Sequence, residues 1–457
     1  MPLSRGAIPG YPTSMRILAA LRPLPDAALR LEGAARDALY RVTRTRVLTA
    51  LTLIYAFFYT TRGVLDVVKK PLLDGGIFDA DQLGTIGTCL LTAYAVGKLM
   101  NGLIADRVRV SRFIALGLGI SAVINILMGL NTAFFFACAL WAFNGYAQGV
   151  GAATCVRSLS QWFSGSERGR AYGVWSAAHS LGEGATLLVI ASIAVHLGWR
   201  AGFVAPGLAC LIVAVASLFV LRDRPEAYGL PEVHDWKGEP HDDTMSVRAA
   251  QLEVIRNPAI WICAVASAFL FVTRYGVKSW GILYLQEQRH YSLPSAAAFI
   301  AMNTLSGLFG SVAYGFLSDI AFKARRPPVT LLFGIVEIAA LIVLFFGPRN
   351  GWVLTGALIV YGFTLSGILA ALGGLMAVDV SSKRAAGMAM GFIGFISYLG
   401  AATQEKLSGL FLKAHTVIGA DHAKHIDDWS GPIALWIGGS VVSLLLAATL
   451  WRVRHKE

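Results

Sequence analysis

Apolar residues run through this chain in long stretches rather than alternating with polar ones, and twelve such stretches are separated by short polar connections. They cover roughly 46–68, 82–106, 112–130, 133–161, 169–196, 200–221, 258–286, 293–320, 328–347, 351–380, 384–413 and 431–452. About 20 helical residues cross the hydrocarbon core of a bilayer, so each stretch predicts one membrane-spanning helix. A single sizeable hydrophilic insertion, 222–257, containing RDRPEAYGLPEVHDWKGEPHDD, divides the series into six and six. The expected organisation is an N-terminal segment (1–45), a first six-helix half (46–221), a linker (222–257) and a second six-helix half (258–457).

The halves carry a weak repeat. Gly102-Leu-Ile-Ala-Asp106 follows the second stretch, with Arg107 and Arg109 beyond it; Gly315-Phe-Leu-Ser-Asp319 follows the eighth, with Lys323, Arg325 and Arg326 beyond it. The same motif at the same place in each half points to duplication, a pattern found in secondary transporters.

Composition agrees: 56% of residues are hydrophobic, 14% are charged and the mean hydropathy is +0.60, which excludes an ordinary cytosolic enzyme, a disordered tail and a secreted disulfide scaffold. The five cysteines all lie in apolar stretches without metal-ligand spacing and read as small packing residues. Residues 1–45 hold scattered arginines and no signal-peptide apolar core, so they read as a retained cytoplasmic segment, partly an amphipathic surface helix.

The net charge of +12 reflects topology rather than nucleic-acid affinity. Eighteen Lys and Arg fall in the connections on one side and seven in those on the other. By the positive-inside rule, both termini and the linker are expected in the cytoplasm of a cell with a bacterial-type inner membrane.

Six cations remain within the apolar stretches: Arg62, Lys98, Arg157, Arg274, Lys278 and Lys406. Four acids accompany them, Asp66, Glu183, Glu337 and Glu405, together with His179. Charges in a bilayer cost about 2.5–3.5 kcal/mol each on insertion scales and persist where they face water or a partner. The excess of two cations predicts an anionic ligand. Arg62 and Arg274 occupy the first helices of the two halves, where a pseudo-two-fold axis brings them face to face, and paired guanidinium forks match phosphate oxygens. Lys98 and His179 are candidates for the same cavity. Lys406 and Glu405, adjacent on a helix, point about 100° apart and do not simply neutralise each other. Tyr55 and Tyr59, one turn apart, and Tyr361 and Tyr398 offer hydroxyls, although tyrosine is equally a packing residue.

Four segments, WFSGSERGRAYGVWSAAHSLG (162–182), LRDRPEAYGLPE (221–232), TRYGVKSWGILYL (273–285) and AAGMAMGFIGFISYLGAA (385–402), resemble the organophosphate:phosphate antiporters of the major facilitator superfamily, over nearly the whole chain after residue 45. The resemblance implies an all-α membrane protein with twelve helices in two pseudo-symmetric halves. It also implies that Arg62 and Arg274 bind phosphate, that Lys98 and His179 line the site, and that Tyr55, Tyr59 and Tyr398 match tyrosines of the glycerol-phosphate carrier. Lys406 is similar to a lysine of hexose-phosphate carriers, and GWRAG (198–202) and LRDRPEAYGLP to segments of the hexose-phosphate sensor. Two departures stand out: Asn303-Thr304 replaces an acid of the eighth span, and Lys278-Ser279 replaces Asn-Asp or Leu-Asp in the seventh. The expectation is a monomeric carrier exchanging a sugar phosphate for inorganic phosphate, without metal, cofactor or nucleic acid. A sensor of external hexose phosphate, or an antiporter of glycerol-3-phosphate or another small organophosphate, is the alternative.

Overall fold

The computed structural model describes residues 21–105, 107–233, 247–323, 325–381, 385–418 and 424–452. Residues 1–20 of the expected N-terminal segment, 234–246 of the linker, and Asp106 of the repeated motif lie outside the described residues. The chain is built of helices: α1 (Gly33–Thr60), α2 (Val64–Asp74), α3 (Ala80–Ala105), α4 (Val110–Leu130), α5 (Phe134–Trp162) and α6 (Gly165–Val220) in the first half. After the linker come α7 (Val247–Arg256), α8 (Pro258–Glu287), α9 (Leu293–Phe316), α10 (Arg326–Phe346), α11 (Gly351–Ala370), α12 (Met376–Val380), α13 (Ala386–Ala414) and α14 (Ser430–Thr449). A short antiparallel hairpin, β1 (Thr416–Ile418) with β2 (Lys424–Ile426), joins the last two long helices.

Among the described residues, nine helices are long and apolar enough to cross a membrane. The expected stretches 133–161 and 384–413 are the 29-residue helices α5 and α13. The stretches 169–196 and 200–221 lie within α6, which bends sharply at Gly198, where φ is +83°. That left-handed backbone is open to glycine at little cost.

The N-terminal boundary differs from expectation. Residues 33–45, read as part of a separate lead-in, are continuous with the first span. Ahead of them, residues 21–32 run along one face as a strap: Arg109 N–H donates to the Leu21 carbonyl (2.7 Å), Ala27 N–H to Glu226 (2.9 Å) and Leu31 N–H to Gly229 (2.7 Å). Arg224 pairs with Asp26 at 2.6 Å, and Arg109 with Asp223 at 2.7 Å. The strap, the linker and the 105–110 connection therefore share one end of the bundle, called the basic face below; the opposite end is the far face.

The first span is interrupted at 61–63, between α1 and α2. A break in apolar surroundings must have its backbone groups satisfied by protein. The Thr61 carbonyl accepts from Asn125 of α4 (2.8 Å) and Asn144 of α5 (3.0 Å), and Gln148 donates to the Thr61 hydroxyl (3.0 Å). Three buried amides thus hold the break that carries Arg62.

Close helix packing rests on glycine in matching places of the two halves. In the first, Gly145 and Gly149 of α5 press on the backbone of α3 at Leu90 and Gly97. In the second, Gly310 of α9 and Gly362 of α11 approach the carbonyls of Phe363 and Asn303. Small residues at such crossings let backbones meet without burying unpaired polar groups. Gly145→Val drives side-chain carbons into the Leu90 carbonyl; overpacking of this kind costs about 1–3 kcal/mol. The expected result is reduced yield and a lower melting temperature of detergent-purified protein, whereas Gly102→Val, at a position with no atom within 4 Å of an added Cβ, behaves as the parent.

Candidate functional site

The helix break and the second half converge on one cluster. Arg62 Nη2 donates to the hydroxyl of Tyr275 on α8 (2.8 Å) and to that of Tyr398 on α13 (3.5 Å), and its guanidinium lies 4.1 Å from the ring centre of Tyr94 on α3. These contacts orient the cation without neutralising it, and Arg62 Nε is buried without a hydrogen-bond partner. Asp66, one turn away, does not pair with Arg62; it accepts from Ser279 of α8 (2.7 Å).

Two i, i+4 pairs face each other across the halves. His179 and Glu183 project from α6, Arg274 and Lys278 from α8. Arg274 Nη2 meets His179 Nε2 at 2.8 Å, and Lys278 forms an ion pair with Glu183, whose carboxylate also lies 3.7 Å from His179. Since Arg274 is a donor, His179 Nε2 accepts in this contact. His179 Nδ1 is buried without a partner.

Aromatic rings wall the cluster. Tyr59 packs on His179 (ring centres 4.8 Å apart), and the hydroxyls of Tyr55 and Tyr59 lie 3.2 Å apart. Tyr398 contacts Tyr94 (4.6 Å) and Phe271 (5.2 Å), and Lys98 Nζ lies 5.7 Å from the centre of its ring.

Arg62, Arg274, Lys98, His179, Lys278, Tyr55, Tyr59 and Tyr398 thus gather around one volume. Two expected site residues do not join them. Lys406 is held near the far face by Asp81 and by Thr85 Oγ1 (2.8 Å), because a carboxylate from α3 meets it across the interface between halves. Tyr361 is fully buried within the second half, and its hydroxyl has no partner. Sequence reasoning missed Tyr94 and Tyr275. The signals were available: Tyr94 is one turn from Lys98, and Tyr275 follows Arg274. Glu183, to which no role was given, is central.

Above the cluster, the halves are tied in successive layers toward the far face. Lys69 is 1% exposed, although its position beyond the first apolar stretch marked it as a loop residue. It bonds Ser279 Oγ (2.7 Å) and Glu405 (3.3 Å) and lies 3.7 Å from the centre of the Trp280 ring. Farther out, Lys70 pairs with Glu287, Lys406 with Asp81 and Lys413 with Asp79 (3.0 Å). The interior balance read from sequence is therefore redistributed. Lys69 joins the buried cations, and Lys406 is neutralised by an acid assigned to a connection.

A family model described as Major Facilitator Superfamily matches residues 51–403. The chain belongs to that superfamily. It is 33% identical over 395 residues to the membrane sensor protein UhpC of Salmonella typhimurium, covering 84% of this chain and 89% of the relative. It is 30% identical over 439 residues to the probable hexose phosphate transport protein of Chlamydia pneumoniae, covering 92% and 93%. These relatives place it in the organophosphate:phosphate antiporter family of the superfamily. A bacterial homolog of the human lysosomal transporter Spinster, solved in an inward-facing and unoccupied conformation, shares the fold with a TM-score of 0.71 at 19% identity, over 90% of this chain and 96% of that one. This multi-pass superfamily member has the fold and relatives of membrane transporters, not of enzymes.

Removing the Lys69 ammonium strands the Glu405 carboxylate in a buried layer. Breaking such a pair costs about 3–5 kcal/mol, so Lys69→Met is expected to lower the melting temperature of the purified protein strongly. Adding Glu405→Gln should recover part of the loss; an unchanged melting temperature in Lys69→Met would contradict the layered tie.

Proposed function

We propose that this protein exchanges a sugar phosphate for inorganic phosphate by alternating access, with the basic face in the cytoplasm of a bacterial-type inner membrane. The observation that carries the reading is that a guanidinium from each half reaches across to the other, Arg62 bonding Tyr275, the neighbour of Arg274, and Arg274 bonding His179. A phosphoryl dianion placed between them supplies the charge that the tyrosines and neutral imidazole do not, and its oxygens accept from both forks. Because the forks belong to different halves, the ligand pulls the halves together.

In the described conformation the far face is closed by the ion-pair layers, so the reading is of a carrier accessible from the cytoplasm. Exchange rather than one-way passage follows from desolvation. Reorienting without ligand encloses both guanidiniums away from water with no anion, and an uncompensated buried ion costs several kcal/mol. Phosphate returning in place of the organophosphate removes that barrier.

The likeness to a protein named as a sensor supports a second reading, in which the same pocket reports external hexose phosphate. Counterflow of labelled phosphate in proteoliposomes separates the two. The expected result is saturable phosphate–phosphate exchange inhibited by hexose phosphate; ligand binding without flux supports the sensor. Arg62→Lys and Arg274→Lys keep the charge but lose the fork. Each is expected to reduce exchange to below about a tenth of the parental rate while leaving membrane insertion intact, and parental exchange in either variant would remove it from the site.

A further inference from the structure

The levels of the cluster fix where the non-phosphate part of a substrate lies. Glu183 and Lys278 are each one helical turn, about 5.4 Å, nearer the far face than His179 and Arg274. Above them stand Asp66, Ser279, Lys69 and Glu405, then Lys406 with Asp81. A phosphoryl group at Arg62 and Arg274 is therefore roofed by groups already paired with one another. The rest of the molecule extends the other way, toward the basic face.

One turn in that direction, Lys98 follows Tyr94 on α3, and Gly394 precedes Tyr398 on α13. Lys98 Nζ lies 3.1 Å from where a Cβ on Gly394 would stand, so the ammonium reaches the opposite half at a place kept open by glycine. Of the cations around the cluster, Lys278 has Glu183, Arg62 has tyrosine hydroxyls and Arg274 has His179. Among the described residues, Lys98 has neither a carboxylate nor a hydrogen-bond acceptor, only the face of Tyr398. The eighth span supplies Asn303 and Thr304 near its middle, not an acid.

We infer that Lys98 reads a second anionic group on the substrate, and that the preferred substrates are phosphate esters carrying a carboxylate, such as phosphorylated sugar acids. The inference rests on the exchange reading above and sharpens its substrate class. While the cavity is wet, water solvates Lys98. Closure of the halves removes that water, and a sugar hydroxyl offers a dipole where a carboxylate offers a full counter-charge. A lone ammonium is a point charge that suits a carboxylate; a second phosphoryl group calls for the multiple forked donors found at the arginine level.

The test uses the full-length protein in proteoliposomes loaded with inorganic phosphate, with 6-phosphogluconate, glucose-6-phosphate and gluconate as competitors of labelled phosphate uptake. In the parent, 6-phosphogluconate should half-inhibit at a concentration about tenfold below glucose-6-phosphate, with gluconate ineffective. In Lys98→Gln the ratio of the two half-inhibitory concentrations should fall to about one, whatever the absolute rate, and Lys98→Arg should preserve it. A parent that prefers glucose-6-phosphate overturns the inference, as does a preference that survives in Lys98→Gln. Phosphate exchange inhibited by none of these compounds would instead count against the sugar-phosphate reading.

Discussion

The guanidinium of Arg62 is held by tyrosine hydroxyls and a tyrosine face, groups that fix the direction of a cation and leave its charge unspent. Much of the architecture makes that arrangement possible. The first span breaks at 61–63, two asparagine amides satisfy the Thr61 carbonyl and Gln148 its hydroxyl, and Gly151 lets the helix that carries Asn144 and Gln148 pack closely on Phe58 of α1. The second half answers with an unbroken helix, α8, which presents Arg274 and Lys278 on one stripe and Tyr275 beside them. The duplication thus supplies two similar halves, and the site depends on the places where they differ.

The same cation explains the division of labour among the interior acids. Glu183 and Glu405 are spent on Lys278 and Lys69, nearer the far face than Arg62 and Arg274, while the arginines are left to tyrosine and histidine. Glu337 lies apart in the second half, accepting from Ser440 at 2.8 Å. An acid directly on Arg62 or Arg274 would compete with every anionic ligand. Keeping the acids one level away lets them close the far side without occupying the site.

Spans were legible in the sequence because apolar length is a direct consequence of bilayer thickness. The clustered cations were legible because charge in such stretches is rare enough to notice one residue at a time. The failures share a cause. Lys69, Asp81 and Glu287 were assigned to connections because they fall outside or at the margins of the apolar stretches, yet the helices carrying them run on and pack against each other, and each forms a bond across the halves. Lys406 was drawn toward the site by its resemblance to a carrier lysine, and only three-dimensional proximity reveals Asp81, 325 positions away. The break at Arg62 was equally hidden: the amides that hold it come from α4 and α5, and YTTRG reads as continuous helix without them.

The far-face ties grade from Lys413, half exposed, to Lys69, almost wholly buried. Mobile ions screen charges they can approach and leave enclosed ones nearly untouched. Salt at the far face therefore acts on the outermost ties and hardly on the innermost, so rising ionic strength loosens the exposed contacts between the halves first and leaves the buried one in place.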